Sequence, residues 1–383
     1  MATLTTLNFD NTFARLDSKL FTRVAPQAIY APSVVHFNPQ VAQLLDLETP
    51  NNSDLATYFS GALLPPNSEP LAMTYSGHQF GQYNPQLGDG RGLLLGEVIN
   101  KKGERWDVHL KGAGKTPYSR FGDGRAVLRS SIREYLGSEA LHALGIPSTR
   151  ALCIIGSKEP VQRETRETAA TLVRVADSHI RFGHFEWIFH NQPKLLKSFS
   201  DYVIQRHYPS CQHSPKPYAD LLQQIVTRTA TLMAQWQLVG FAHGVMNTDN
   251  FSITGCTFDY GPYGFLDVYK PSFICNHSDN TGRYAWNQQP SIGLWNLNAL
   301  AYALSPLIEK EDIMAALQSY EATLLDTYYK GIKAKLGLME NNEQDNALAF
   351  DLLDILMKNN MDYTRTFRAL SHVNKEDSLC SVR

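Results

Sequence analysis

Cysteine is sparse in this 383-residue sequence: Cys153, Cys211, Cys256, Cys275 and Cys380 are scattered and form no CxxC pair. That scatter argues against a zinc ribbon and a disulfide scaffold, and an odd number of thiols fits a reducing compartment. Long apolar runs are missing as well. No window approaches the roughly 18 uninterrupted apolar residues of a membrane span. The N-terminal MATLTTLNFDNTFARLDSKLF has no basic stretch followed by an apolar core, so no signal peptide is read there. The cytoplasm is the expected location, with no membrane attachment. Charge of one sign is also lacking. At a formal net charge of −2 nothing draws the whole chain to nucleic acid or an anionic surface, although a local basic pocket is compatible with that balance. Finally, there is no HExxH zinc motif and no GxSxG nucleophile elbow, and the run GDGRG lacks the GK[ST] ending of a P-loop.

What is present is the composition of a folded protein, 43% hydrophobic and 19% charged, on a chain long enough for two or three lobes or domains. Residues 1–70 mix short helical patterns with Pro and Asn punctuation, including PPNSEP, and predict an irregular extension packed on a core. From residue 71 the punctuation is more orderly. LGDGRG (87–92) leads into the strand-like LLLGEVI (93–99), the turn NKKGE and a second strand RWDVHLKG (105–112), in which Trp106, Val108 and Leu110 alternate. A helix is predicted from about 126 to 144, stopping before Gly145 and Pro147. TRALCIIG (149–156) and AATLVRVA (169–176) read as further strands. Helical patterns then dominate, near 182–190, 195–207, 218–239, 294–304, 309–331 and 342–358. The sum is an α+β chain, with a strand-containing N-lobe over 71–180, a mainly helical C-lobe over 181–383 and the active cleft between them.

Four sets of residues carry candidate chemistry. GDGRG offers backbone N–H groups that can turn around phosphate oxygens, with Arg91 as a forked donor, though a plain tight turn accounts for it equally well. Lys111 ends the second strand and Glu134 lies 23 residues later on the helix, sharing a side with Val127 and Leu141. A carboxylate beside an apolar stripe needs a partner, and in a two-lobed phosphotransferase a helix carboxylate holds the lysine that reaches nucleotide phosphates; a surface lysine and an unrelated helix carboxylate are the alternative. In FAHGVMNTDNFSITGCTFDYG (241–261), Asp249, Asn250 and Asp259 supply the hard oxygens that Mg2+ or Mn2+ takes. Asp249 is then left to accept a hydroxyl proton, and the alternative is an Asx-rich turn. His243 reads as structural. Last, Asp123 and Gly124 lie in a second Gly-bearing turn beside Arg120, Arg125 and Arg129, and Arg174 and Arg181 follow in LVRVADSHIRFG. Arg174 interrupts an apolar strand, which points its guanidinium into a cleft where it can clamp polyphosphate.

The long motifs YSGHQFGQYNPQLGDGRG, LKGAGKTPYSRFGDGRAVLRSSIREYLGSEALHALGIPSTRAL, ETAATLVRVADSHIRFGHFE and HGVMNTDNFSITGCTFDYGPYGFLD resemble the selenoprotein O family of protein adenylyltransferases. The resemblance runs from near the start through MDYTRTFRAL. It implies a protein-kinase-like fold that binds ATP with its phosphates reversed, so that AMP passes to Ser, Thr or Tyr hydroxyls of proteins and pyrophosphate leaves. By motif it implies that Gly88, Gly90 and Arg91 contact nucleotide, that Lys111 binds phosphate and that Glu134 is its ion-pair partner. Asp123 and Gly124 would line the nucleotide site, and Arg174 and Arg181 would hold phosphate. Asp249 would be the proton acceptor, Asn250 and Asp259 would hold Mg2+ or Mn2+, and Asp259 would also touch ATP. The implied partners are ATP and acceptor proteins, and a monomer is the expected state. Family members usually continue further, often to a redox-active Cys or selenocysteine. Here the text changes after FRALSHV to NKEDSLCSVR, so Cys380 is given no redox role and a shortened C-terminal region is expected. A kinase moving the γ-phosphate and a catalytically silent ATP-binding pseudokinase remain open alternatives.

Overall fold

A computed structural model describes residues 1–338, 340 and 342–372; Cys380 lies outside them. The chain is mixed α+β, with its sheet in the N-terminal part and helices dominating the C-terminal part.

Two compact units are present. The first comprises Met1–Tyr218, Asn247–Tyr260 and Tyr302–Leu307. Its strands are β1 (Phe21–Arg23), β2 (Ser33–Phe37), β3 (Leu71–Met73), β4 (Gly77–Gln79), β5 (Gln82–Asn84), β6 (Gly92–Ile99), β7 (Arg105–Lys111), β8 (Ala126–Val127), β9 (Arg150–Gln162) and β10 (Arg166–Ala176). Its helices are α1 (Pro39–Leu44), α2 (Asn52–Phe59), α3 (Leu128–Ala143), α4 (Phe182–Asn191) and α5 (Leu196–His207). The main sheet runs β1-β3-β6-β7-β10-β9-β2, with β8 on β10 and every pairing antiparallel. β4 and β5 form a separate hairpin.

Period-two alternation decides what each strand gives to each face. On β7 and β10, Val108, Leu110, Val173 and Val175 join a core with Leu55, Phe59, Leu93, Leu95 and Leu152. Lys111, His109 and Arg174 therefore stand on the opposite face, where Ala170 and Leu172 pack with Leu128 and Tyr135 around α3. The β6–β7 turn is closed by Asn100, whose side-chain oxygen accepts from the N–H groups of Lys102 (3.0 Å) and Glu104 (2.9 Å). Helix α3 stops as expected, with Leu144 as its cap and Gly145 at φ +75°.

The expected boundaries at 70 and 180 are not where the chain divides. Residues 1–70 supply both edge strands, β1 and β2, and Leu4, Leu7, Val41, Leu45 and Phe59 of the core. Those strands are three and five residues long, too short to leave a periodic signal. The loop 247–260, expected in a C-lobe, belongs to the first unit. Phe182 N–H donates to Phe251 O, Ile253 N–H to Ile180 O, Thr149 N–H to Thr257 O and Thr257 N–H to Pro147 O, at 2.9–3.0 Å.

The second unit comprises Ala219–Met246, Gly261–Ala301 and the described residues from Ile308 onward. It takes most of α6 (Pro217–Leu238) and α7 (Gln289–Leu304), with α8 (Lys310–Lys335), α9 (Asp345–Lys358) and α10 (Tyr363–Leu370). A two-residue ladder joins β11 (Phe241–Ala242) to β12 (Gly264–Phe265). Trp286, Ile332, Leu353, Leu356, Tyr363 and Phe367 pack in its core. His243 is structural in its contacts: its ring stacks on Trp236 at 5.3 Å and its N–H donates to Gln289 Oε1 at 2.8 Å. Among the described residues no helix is long and apolar enough to cross a membrane.

Candidate functional site

The site grows from that shared face of β7 and β10. Lys111 Nζ and Arg174 Nε both donate to Glu134, which is 1% exposed on α3, so the carboxylate is clamped between two cations. Burial pushes the Lys111 ammonium down to about 8 against the pull of Glu134. Burial would raise Glu134, but Arg174 and Lys111 outweigh it and hold its carboxyl below the usual range.

Arg174 continues the chain of charges, with Nη1 2.8 Å from Asp259 Oδ1. Arg181, the residue before α4, donates from Nη1 to Asp259 Oδ2 and, at 2.6 Å, to the main-chain oxygen of Asp249. Its guanidinium lies over the rings of Tyr75 (4.7 Å) and Phe258 (4.5 Å). Asp259 has φ +62°, a left-handed conformation that Asp tolerates better than most residues. Burial alone would raise its pKa, yet Arg181, Arg174 and Lys111 hold it well below the carboxylate range.

Asp249 and Asn250 sit in a single 3₁₀ turn, Thr248–Asn250. Asn250 Nδ2 donates to Asp259 Oδ2 at 3.3 Å. Asp249 is the contrasting carboxylate: burial raises it to about 7, Arg181 opposes this and Asp259 adds to it. Gln79 Nε2 reaches its Oδ2 at 3.5 Å, while its buried Oδ1 has no hydrogen-bond partner among the described residues. One carboxylate stays ionised and its neighbour titrates near neutrality, the split expected of a ligand beside a proton acceptor.

The glycine loop is tied to the same cluster through a residue that the sequence reading passed over. Asp89 in GDGRG is buried and held down to about 2: burial acts against ionisation, and His109, Arg181 and the Met73 N–H outweigh it. Its Oδ2 accepts from Met73 N–H at 3.1 Å, its Oδ1 accepts from Tyr75 O–H at 3.2 Å, and Arg181 Nη2 lies 3.9 Å away. A signal for His109 was available, since it alternates with Lys111 on β7; Asp89 and Gln79 had none beyond their place in polar motifs. Gly88, at φ +117°, leaves room for the Tyr118 ring, and Gly90 lies against the Tyr118 carbonyl. Arg91 is exposed and lies close enough to Lys111 to depress it.

Asp123 and Gly124 are not brought into this charge cluster. Asp123 pairs with Arg163 at 2.8 Å, and Gly124 packs backbone to backbone on Gly114. Their loop nevertheless joins the first one, because Thr116 Oγ1 donates to Asp89 O (2.6 Å) and Ser119 Oγ to Gly90 O (2.5 Å). Arg125 and Arg129 are spent on Glu159 and Glu167.

Among the described residues no group of three or more His, Cys, Asp or Glu is arranged to hold a metal ion. The Asn250 amide oxygen and the Asp259 carboxylate nevertheless fit a small hard cation, which typically takes one or two protein oxygens and completes its shell with phosphate and water. Charge balance points the same way. Lys111, Arg174 and Arg181 are already offset by Glu134, Asp259 and Asp89, so a polyphosphate entering this site gains from further positive charge. Arg174 Nη2 and Arg181 Nε are buried donors without a hydrogen-bond partner among the described residues. Such donors suit anionic oxygens.

A family model described as protein adenylyltransferase SelO matches residues 3–381. The chain is 53% identical over 396 residues to the protein nucleotidyltransferase YdiU of Photobacterium profundum, covering 98% of this chain and 77% of that protein. It is 54% identical over 374 residues to the protein of the same name from Aliivibrio fischeri, covering 97% and 77%. With that of Pseudomonas aeruginosa it shares 53% identity over 386 residues, covering 100% and 79%.

Proposed function

The chain belongs to the SelO family of protein adenylyltransferases, and on that premise we propose how its buried charge cluster carries out the transfer. It is an ATP-dependent protein nucleotidyltransferase that moves AMP from ATP to a protein and releases pyrophosphate. The finer reading is a protein-kinase-like two-lobed frame, with ATP bound so that the α-phosphorus faces a Ser, Thr or Tyr hydroxyl.

In this reading Lys111, Arg174 and Arg181 hold phosphate oxygens, and Glu134 keeps Lys111 and Arg174 in position. The loop bearing Gly88, Gly90 and Arg91 borders the nucleotide, and the turn with Asp123 and Gly124 lines its outer side. Asn250 and Asp259 would hold Mg2+ or Mn2+, which when bound supplies charge neutralisation at the phosphates. Asp249 accepts the hydroxyl proton as the acceptor oxygen bonds to the α-phosphorus. The bond from that phosphorus to the oxygen bridging it to the β-phosphate breaks, and its electrons leave with pyrophosphate.

The observation that carries this assignment is Asp249 itself. It is a buried carboxylate raised to about 7, with one oxygen unpartnered, adjacent in sequence to Asn250 and close to an Asp259 held ionised by two arginines. The test is mass spectrometry of acceptor protein incubated with ATP and Mg2+ or Mn2+. An addition of about 329 Da, lost in Asp249→Asn, is expected, whereas an addition of about 80 Da would assign a kinase instead.

A further inference from the structure

We propose that His109 is a positioning residue for the phosphate clamp: its imidazole, wedged between the GDGRG loop and His179, fixes Asp89 and through it Arg181. The inference rests on the reading of Arg181 as a donor to phosphate and names what holds that donor in place.

The sheet register puts the ring there. His109 is buried on β7, with Leu94 of β6 and Arg174 of β10 as its partners across the sheet, and alternation sends it to the face of Lys111. The ring lies against the backbone of Gly92, where a Cβ would stand 2.4 Å from His109 Cε1. The last glycine of GDGRG is thus what leaves room for an imidazole. Its Nε2 lies 3.6 Å from Asp89 Oδ2, so one ring meets both ends of the step 89–92, with Arg91 between them. On its other side the ring stacks on His179, with centroids 4.6 Å apart and planes inclined by 18°. That backing is fixed in turn. His179 N–H donates to Asp107 Oδ2 at 2.8 Å, its Nδ1 lies 3.2 Å from the same oxygen, and Arg206 of α5 reaches Asp107 Oδ1 at 3.4 Å.

Asp89 passes the constraint on. Its Oδ1 accepts from Tyr75 O–H at 3.2 Å and lies 3.9 Å from Arg181 Nη2, and the Tyr75 ring sits 4.7 Å from the same guanidinium. A guanidinium held in advance loses less freedom when it takes up a phosphate oxygen. Packing alone does not account for a histidine at this position. Both ring nitrogens are buried without a hydrogen-bond partner among the described residues. Burial also pushes the imidazole down to about 4 against the pull of Asp89, so the ring is neutral near pH 7. An apolar side chain would fill the same space at less cost in desolvation. What the imidazole adds is a flat face for His179 and an N–H dipole for Asp89, because the neighbouring carboxylate favours the proton on Nε2.

The test is calorimetric titration of the full chain with ATP and Mg2+, alongside thermal melts, on His109→Leu and His109→Gln. His109→Leu should melt within about 2 °C of the parent or above it, while ATP affinity falls about tenfold. His109→Gln keeps an N–H donor and should hold affinity within about threefold of the parent. Added to Asp89→Asn, His109→Leu should cost less than about twofold more, because both act on one guanidinium through one contact. Parent-like affinity in His109→Leu overturns the inference, and so do losses that add in the double variant. A loss shared equally by His109→Gln, or one accompanied by a lower melting temperature, makes His109 a core residue and overturns it too. Arg181→Lys separates the two levels. If that variant binds ATP as the parent does, the reading of Arg181 fails and this one falls with it. If it loses affinity and His109→Leu does not, the positioning role alone is refuted.

Discussion

Glu134→Gln isolates what the buried triad contributes. The carboxylate is 1% exposed and sits between Lys111 Nζ and Arg174 Nε, so neutralising it leaves two buried cations side by side. Removing one partner of a buried ion pair costs about 3–5 kcal/mol. At roughly 2–4 °C per kcal/mol for a domain of this size, the melting temperature should fall by about 6–20 °C. A second effect follows from Lys111. Its ammonium is already pushed down to about 8 by burial, with Glu134 the main influence opposing the shift. Without that carboxylate its pKa drops further, and Lys111 loses its proton around neutrality. The protonated form is the one that binds phosphate, and it is present below the pKa. ATP affinity of the variant should therefore be weak at about pH 8 and recover towards about pH 6. Thermal melts and calorimetric titration with ATP across that range measure both effects. A variant that melts within about 1 °C of the parent and binds ATP with the parent's pH dependence would refute the reasoning.

The parent enzyme should show a narrow pH optimum. Asp249 acts only above its pKa of about 7 and Lys111 binds only below its own of about 8, so kcat/KM should fall on both sides, and a flat profile would contradict the assignment. Asp259→Asn and Asp259→Ala should both lose transfer, because each leaves Arg174 and Arg181 without their shared carboxylate. Since residue 259 has φ +62°, which Asn tolerates, thermal melts should find the alanine variant less stable by about 1 kcal/mol, and equal stability would sink the strain argument. Gly183→Ala would place a Cβ 2.1 Å from Ser76 O, so the base of the β4–β5 hairpin must shift. Denaturant unfolding should show a loss of about 1–3 kcal/mol, and slower AMP transfer should accompany it.

Most members of this charge cluster are legible in the sequence. Alternation along RWDVHLK and AATLVRVA was enough to place Lys111 and Arg174 off the apolar face, and the stranded carboxylate of Glu134 called for a cation. The pair NTDN and the later FDYG carried the acidic residues at their own positions. Arg181 was flagged as a clamp but not as the link between Asp89 and Asp259. Asp89 was hidden because GDGRG was read for its glycines, and a loop carboxylate has no periodicity to betray burial.

The sequence by itself determined the elements whose signal is local. These are the β6–β7 hairpin with its Asn100 turn, the span of α3 and its end at Gly145, the long apolar stripe of α6, and the acidic and basic residue types of the charge cluster. Tertiary structure decided the rest, since it depends on pairings between distant residues whose worth is set by total burial. It alone drew residues 1–70 into the sheet and its core, and laced 247–260 onto 147–149 and 180–182. It also gave two acids ten residues apart opposite protonation behaviour: two guanidiniums face Asp259, whereas burial, with Asp259 adding to it, raises Asp249.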